Sequence, residues 1–203
     1  MTDVIASKAL GLADKLKDRN EPAVAEMTRR LRKYAEAERG LAGAVHTMGH
    51  KASGLVVFGL TLADWAKKNK GPEADTFKKR EKDFDKAIAG LESLGDAVDA
   101  LLEGGTPAKV KLPGNALQKV LDDMEFKDKV KIATVRTAAR EYYPAESAGQ
   151  KKLQEWAVQL NHLCAGLNDG LSQLDATDLQ AFGRKEVLER AQQLKKSIDT
   201  MGV

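Results

Sequence analysis

VAEMTRRLRKYAEAERGLAGAVHTMGHKASGLVVFGLTLADWA, residues 24–66, is the stretch whose reading decides the fold. Apolar side chains recur at Val24, Met27, Leu31, Tyr34, Leu41, Val45, Met48, Ala52, Leu55, Leu62 and Ala66, with Glu38 and Gly59 filling the gaps. The spacing alternates three and four. That period draws one apolar stripe along one side of a helix, and a stripe sustained this long packs against another helix rather than lining a substrate pocket. The helix expected over residues 23–69 would be about 70 Å long at ~1.5 Å rise per residue.

Working outward, proline marks the breaks. Pro22, Pro72, Pro107, Pro113 and Pro144 each sit where the apolar period lapses. Proline lacks the amide a helix interior uses and clashes with the preceding turn, so each is expected to separate elements. Residues 3–18 form an amphipathic helix with Val4, Ile5, Ala9, Leu12 and Leu16 on one face. Residues 73–103 repeat the seam through Phe77, Phe84, Ile88, Leu91, Val98 and Leu102. Further helices are expected over 116–142, 146–174 and 177–200, although FKDKVKIATVR at 126–136 alternates more like a strand. GGTPAKVKLPG at 104–114 is the one long loop. The fold class is therefore all-α: an elongated antiparallel bundle or coiled coil of about five long helices, dimeric. Residues 1–22 hold the N-terminal helix and residues 23–203 a single bundle domain.

Composition narrows the function classes. Charged residues make up 31% and aromatics 5%, which suits long helices with narrow seams. The net charge of +3, with acids interleaved among the bases, does not make the concentrated basic face of a nucleic-acid binder. A lone cysteine, Cys164, cannot form an internal disulfide and fits a reducing compartment. MTDVIASKAL lacks the basic region and apolar core of a secretory signal. A cytoplasmic, or peripheral membrane, location is expected.

No residue pattern points to catalysis. There is no P-loop and no dinucleotide fingerprint. His46 and His50 stand one turn apart, as a chelating pair would, but Val45 and Met48 hold the seam, so both histidines fall on the wetter side without a third ligand. His162 and Cys164 flank Leu163 and point in different directions. Asp122, Asp123, Glu125 and Asp128 read as a solvated acidic patch. No enzyme activity, metal or cofactor is expected.

Residues 41–63 contain one charge, Lys51, and many small side chains. A transmembrane span, a segment that inserts as a pore former, and the centre of a bundle or dimer all fit that composition. The third is favoured, since ionisable groups near the middle are costly in hydrocarbon. It makes Val45, Met48, Ala52, Leu55, Gly59 and Leu62 the dimer interface. Basic residues cluster at Arg29, Arg30, Arg32 and Lys33, and on both sides of Pro72. Each base near an anionic membrane can contribute about 1 kcal/mol.

The order of these features resembles a BAR domain over residues 3–142. An amphipathic helix precedes a long heptad helix with a nearly uncharged centre, AGAVHTMGHKASGLVVFGLTLADW; a break follows at NKGPEAD, then heptads through LESLGDAVDALL. The resemblance implies a crescent-shaped homodimer that binds anionic, curved membranes, with Lys67, Lys68, Lys70, Lys78, Lys79, Lys109 and Lys111 as the lipid-facing bases. The leading expectation is thus a non-enzymatic scaffold on an anionic membrane. The alternatives are a soluble adaptor or secretion-related bundle that binds other helical proteins, and a bundle that inserts residues 41–63 into membranes.

Overall fold

Pro22 and Pro72 begin helices. Each occupies the first helical position, where an amide would have no partner anyway and the fixed φ suits the helix. A computed structural model describes residues 3–103, 109–124, 126–127 and 129–171. The described elements are α1 (Asp3–Lys15), α2 (Pro22–Lys68), α3 (Pro72–Leu102), α4 (Ala116–Asp122) and α5 (Lys129–Leu171), with no strand among the described residues. The chain is all-α, as its periodicity predicts.

The 47-residue α2 is the organising element. Gly71 turns the chain between α2 and α3 at φ 120°, in the region that only glycine occupies without strain. The two helices then run antiparallel: Gly49 lies against Val98 and Gly59 against Ile88. At Gly59 a Cβ would stand 2.3 Å from Ile88 Cδ1, so the absence of a side chain lets α3 approach closely. Helix α5 is also antiparallel to α2. Its N-terminal part meets the C-terminal half of α2, where Lys51 Nζ pairs with Glu141 Oε2 at 2.5 Å. Its C-terminal part reaches back to the start of α2, where Arg30 Nη1 donates to the His162 carbonyl at 3.0 Å.

Helix α1 folds back over the N-terminal half of α2, with Asp14 joined to Arg32 at 3.2 Å. Ala9, Leu12, Ala13 and Leu16 are buried there. Of the apolar face that sequence alone left open to a membrane, Ala9, Leu12 and Leu16 are spent on packing. Helix α4 closes the space between α3 and α5 with Leu117 and Leu121.

Two expected elements differ. The helix expected over 116–142 is interrupted after Asp122 and resumes at Lys129. Met124 and Phe126 are both buried, and Phe126 packs on the Trp65 ring at 6.1 Å. Side chains two apart on a helix point nearly opposite ways, so the chain must leave the helix to bury both. Arg136 Nη2 donates to the Leu121 carbonyl at 2.9 Å, serving an acceptor at the end of α4. Of the kink or stop expected at Pro144, the stop does not occur: α5 runs through it for 43 residues. Pro144 and Arg140 are both exposed, so water can serve the Arg140 carbonyl that loses its amide donor. The helix expected over 177–200 lies outside the described residues.

Candidate functional site

The seam of α2 is filled by its own chain. Val45, Met48, Ala52, Leu55 and Leu62 are at most 4% exposed, and Gly59 is covered by Ile88 and Phe84. The residues expected at a dimer interface therefore lie in the intrachain core, because α3 and α5 supply the partner surface that the heptads demand.

What remains open is the opposite side. With Val24 at heptad position a and Met27 at d, positions b, c and f face outward, and b and f together draw one stripe along that side. Before residue 40 these hold Ala25, Arg29, Arg32, Glu36 and Arg39; after residue 63 they hold Asp64 and Lys67. Between them stand Gly43, His46, His50, Ser53, Val57 and Leu60, all exposed and none formally charged at neutral pH. Val57 is 60% exposed and Leu60 50%. The only charge between residues 41 and 63, Lys51, turns to the side and pairs with Glu141. Beside this strip, Phe58, Leu62, Trp65, Thr134 and Val135 line an open groove of about 280 Å³. The centre of α2 is thus buried on its seam, half-buried along much of its flanks and open on its outer side. The signal for this was present in the sequence as the switch from charged to uncharged residues at b and f.

The histidines of the strip stack on each other, with ring centroids 6.5 Å apart and planes 13° from parallel. No group of three or more His, Cys, Asp or Glu with metal-site geometry occurs among the described residues. His162 is exposed and engages Arg30 through its carbonyl; the Cys164 side chain lies outside the described set.

The basic residues are less concentrated in space than in sequence. Lys67, Lys68, Lys70, Lys78 and Lys79 do share the α2–α3 turn end. However, Lys67 lies 4.0 Å from Glu81, Lys68 2.5 Å from Asp64 and Lys78 3.8 Å from Asp75. Lys109 and Lys111 are not brought to that end. Pro113 lies against Gly90 and Asp123 reaches Arg80 at 2.9 Å, so the chain travels back along α3 and leaves both lysines towards its C-terminal half. The Arg29–Arg30 pair is also engaged: both guanidiniums bind Glu26 and hold its carboxyl at about 2, well below the usual glutamate range.

One buried polar cluster was not singled out from sequence. Glu146, 5% exposed, accepts a hydrogen bond from the Gly114 amide at 2.9 Å and another from the Tyr142 hydroxyl, one turn earlier on α5. Burial, then the Glu146 hydrogen bond, pushes the Tyr142 phenol far above its usual range. A cavity of about 10 Å³ adjoins Tyr142 and Gly114, about the space of one water. The cluster clasps the loop before α4 to α5. At about 10 Å³ the cavity has no room for a substrate. No helix among the described residues is long and apolar enough to cross a membrane. No family model, curated protein or solved structure matches the chain.

Proposed function

We propose that the chain is a non-enzymatic helical scaffold, an elongated antiparallel bundle whose central helix docks another protein helix along its outer face. The observation that carries this reading is the uncharged b/f strip from Gly43 to Leu60, exposed along a helix that is charged at the same positions on either side. A helix face that serves only solvent gains solubility and helix propensity from Lys and Glu. Exposed Val57, Phe58 and Leu60 gain nothing from water, and a contiguous patch of this kind marks a contact surface.

The test is a photo-crosslinking phenylalanine analogue at Leu60, with a second at Lys86 on the charged outer side of α3 as control, in the native host. A polypeptide adduct at Leu60 and none at Lys86 is the expected result. No adduct at either site, or lipid adducts at Leu60, would overturn the docking reading.

A second reading keeps the anionic membrane as partner. It is favoured by Lys70, Lys79, Lys109 and Lys111, which are exposed and make no ion pair among the described residues. It loses the support of α1, whose Ala9, Leu12 and Leu16 are buried, and of Lys67, Lys68 and Lys78, whose carboxylate neighbours offset their charge. Sedimentation with phosphatidylserine vesicles at ~0.05 M salt, weakening at ~0.3 M as the Debye length shortens, would support it. Absence of binding at low salt would remove it.

A further inference from the structure

The outer strip of α2 is complementary to itself. Its uncharged centre is bounded by Glu36 and Arg39 at one end and by Asp64 and Lys67 at the other. The order of signs matters. Reversing the helix direction brings Arg39 opposite Asp64 and, three residues further out, Glu36 opposite Lys67. The same register sets Gly43 against Leu60, His46 against Val57 and His50 against Ser53. Each b residue then faces an f residue, the geometry by which a and d positions meet in an antiparallel coiled coil. In every inner pair one member is larger than the other, most clearly where Leu60 would fill the space over Gly43. A twofold axis near Lys51 and Ala52 repeats every contact, as an isologous dimer requires.

From this we infer that the helix docked on α2 is the same face of a second copy of the chain, antiparallel, in the register that pairs Arg39 with Asp64. The inference rests on the docking reading above and names its partner. Glu36 and Arg39 are exposed and make no ion pair among the described residues, so each has a charge free to meet a second chain, whose Lys67 and Asp64 would share their charge with Glu81 and Lys68. Gly40, Gly43 and Gly54 have nothing within 4 Å of the place a Cβ would occupy, so their small size answers no contact within the chain. From Glu36 to Lys67 the strip runs about 46 Å at ~1.5 Å per residue, and a helix is about 10 Å wide. That footprint, roughly 460 Å² in projection on each copy and about 920 Å² in total, is below the range of stable interfaces and fits a weak, transient one. The dimer should therefore dissociate on dilution.

Sedimentation velocity over a concentration series tests this, with circular dichroism to confirm that each variant is folded. The wild type should pass from monomer to dimer. Leu60→Glu puts a charge against Gly43 of the second copy and should weaken the dimer by at least about a hundredfold. Arg39→Glu should weaken it about tenfold, and Arg39→Glu with Asp64→Arg should restore it, because the swapped charges still face each other. In a Cys164→Ser background, cysteines at His50 and Ser53 should oxidise to a covalent dimer. A wild type that stays monomeric at every concentration would overturn the inference, as would a dimer indifferent to Leu60→Glu or a charge swap that fails to restore. The crosslink at Leu60 separates the two readings. An adduct at twice the chain mass supports both. An adduct with a different protein keeps the docking face and removes the second copy; a lipid adduct removes both.

Discussion

Truncating Glu146 tests the clasp that fixes α4 between α3 and α5. In Glu146→Ala the Gly114 amide and the Tyr142 hydroxyl both lose their acceptor. A buried donor left unmade costs about 1–3 kcal/mol, so two suggest about 2–6 kcal/mol. The adjoining cavity of about 10 Å³ would grow and admit water to serve one donor, which brings the expected cost to about 3 kcal/mol. In a chain of this length that lowers Tm by roughly 6–12 °C. Tyr142→Phe removes one donor and leaves Glu146 its Gly114 bond, for about 1.5–3 kcal/mol. Because both changes break the same contact, the double variant should cost less than the sum by about 1–2 kcal/mol. Urea denaturation followed by circular dichroism at 222 nm supplies the three values. Hydrogen exchange at the Gly114 amide gives an independent reading, with protection lost in Glu146→Ala. Strict additivity, or a Glu146→Ala cost below about 0.5 kcal/mol, would refute the reasoning.

The same phenol predicts a pH dependence. Since burial and Glu146 raise the Tyr142 pKa above its ordinary 10.0, the folded state favours the neutral phenol; the stability it contributes is intact below pH 10 and falls as pH rises past it. Urea midpoints at pH 9 and pH 11 should therefore differ more in wild type than in Tyr142→Phe. At Gly49 a Cβ would stand 2.7 Å from Val98 Cγ1, and valine is stiff at χ1, so Gly49→Ala should lose about 1–3 kcal/mol to overpacking, partly offset by about 1 kcal/mol of helix propensity. Gly11→Ala, with nothing within 4 Å, should instead gain about 0.5–1 kcal/mol, and thermal melts of the two variants should move in opposite directions.

The seam through Val24 and Ala66 made α2 legible because a 3.5-residue period survives any choice of partner. The identity of that partner was not legible. A heptad stripe requires a helix against it but does not state whether the helix comes from the same chain. Here Ile88 and Val98 of α3 lie against Gly59 and Gly49, and Gly149 of α5 lies against Met48, so the seam is covered from within the chain. Pro144 misled because proline's cost in a helix depends on whether the freed carbonyl faces water, which follows from tertiary position. Met124 and Phe126 were misassigned to a helix for a related reason. Their burial on one side is visible only once Trp65 and the end of α2 are in place. The Tyr142–Glu146 spacing was in view as i, i+4 on a helix, yet nothing local says that the Gly114 amide, 32 residues earlier, arrives to share the carboxyl.

The glycines of α2 separate two kinds of small residue that sequence alone cannot tell apart. At Gly49 and Gly59 a Cβ would strike Val98 and Ile88, so the close approach of α3 accounts for them. At Gly40, Gly43 and Gly54 a Cβ would meet nothing within 4 Å. Each leaves α2 about 1 kcal/mol less stable than alanine would in a helix interior. Packing inside the chain does not offset that cost, since these positions point away from α3 and α5. Solubility does not offset it either, since Lys or Glu would serve water better. A surface that approaches α2 from outside would account for the missing side chains, just as α3 accounts for them on the inner side. That surface must also tolerate exposed Val57 and Leu60 and meet charges of alternating sign at both ends. The reversed strip of α2 itself has each of these properties.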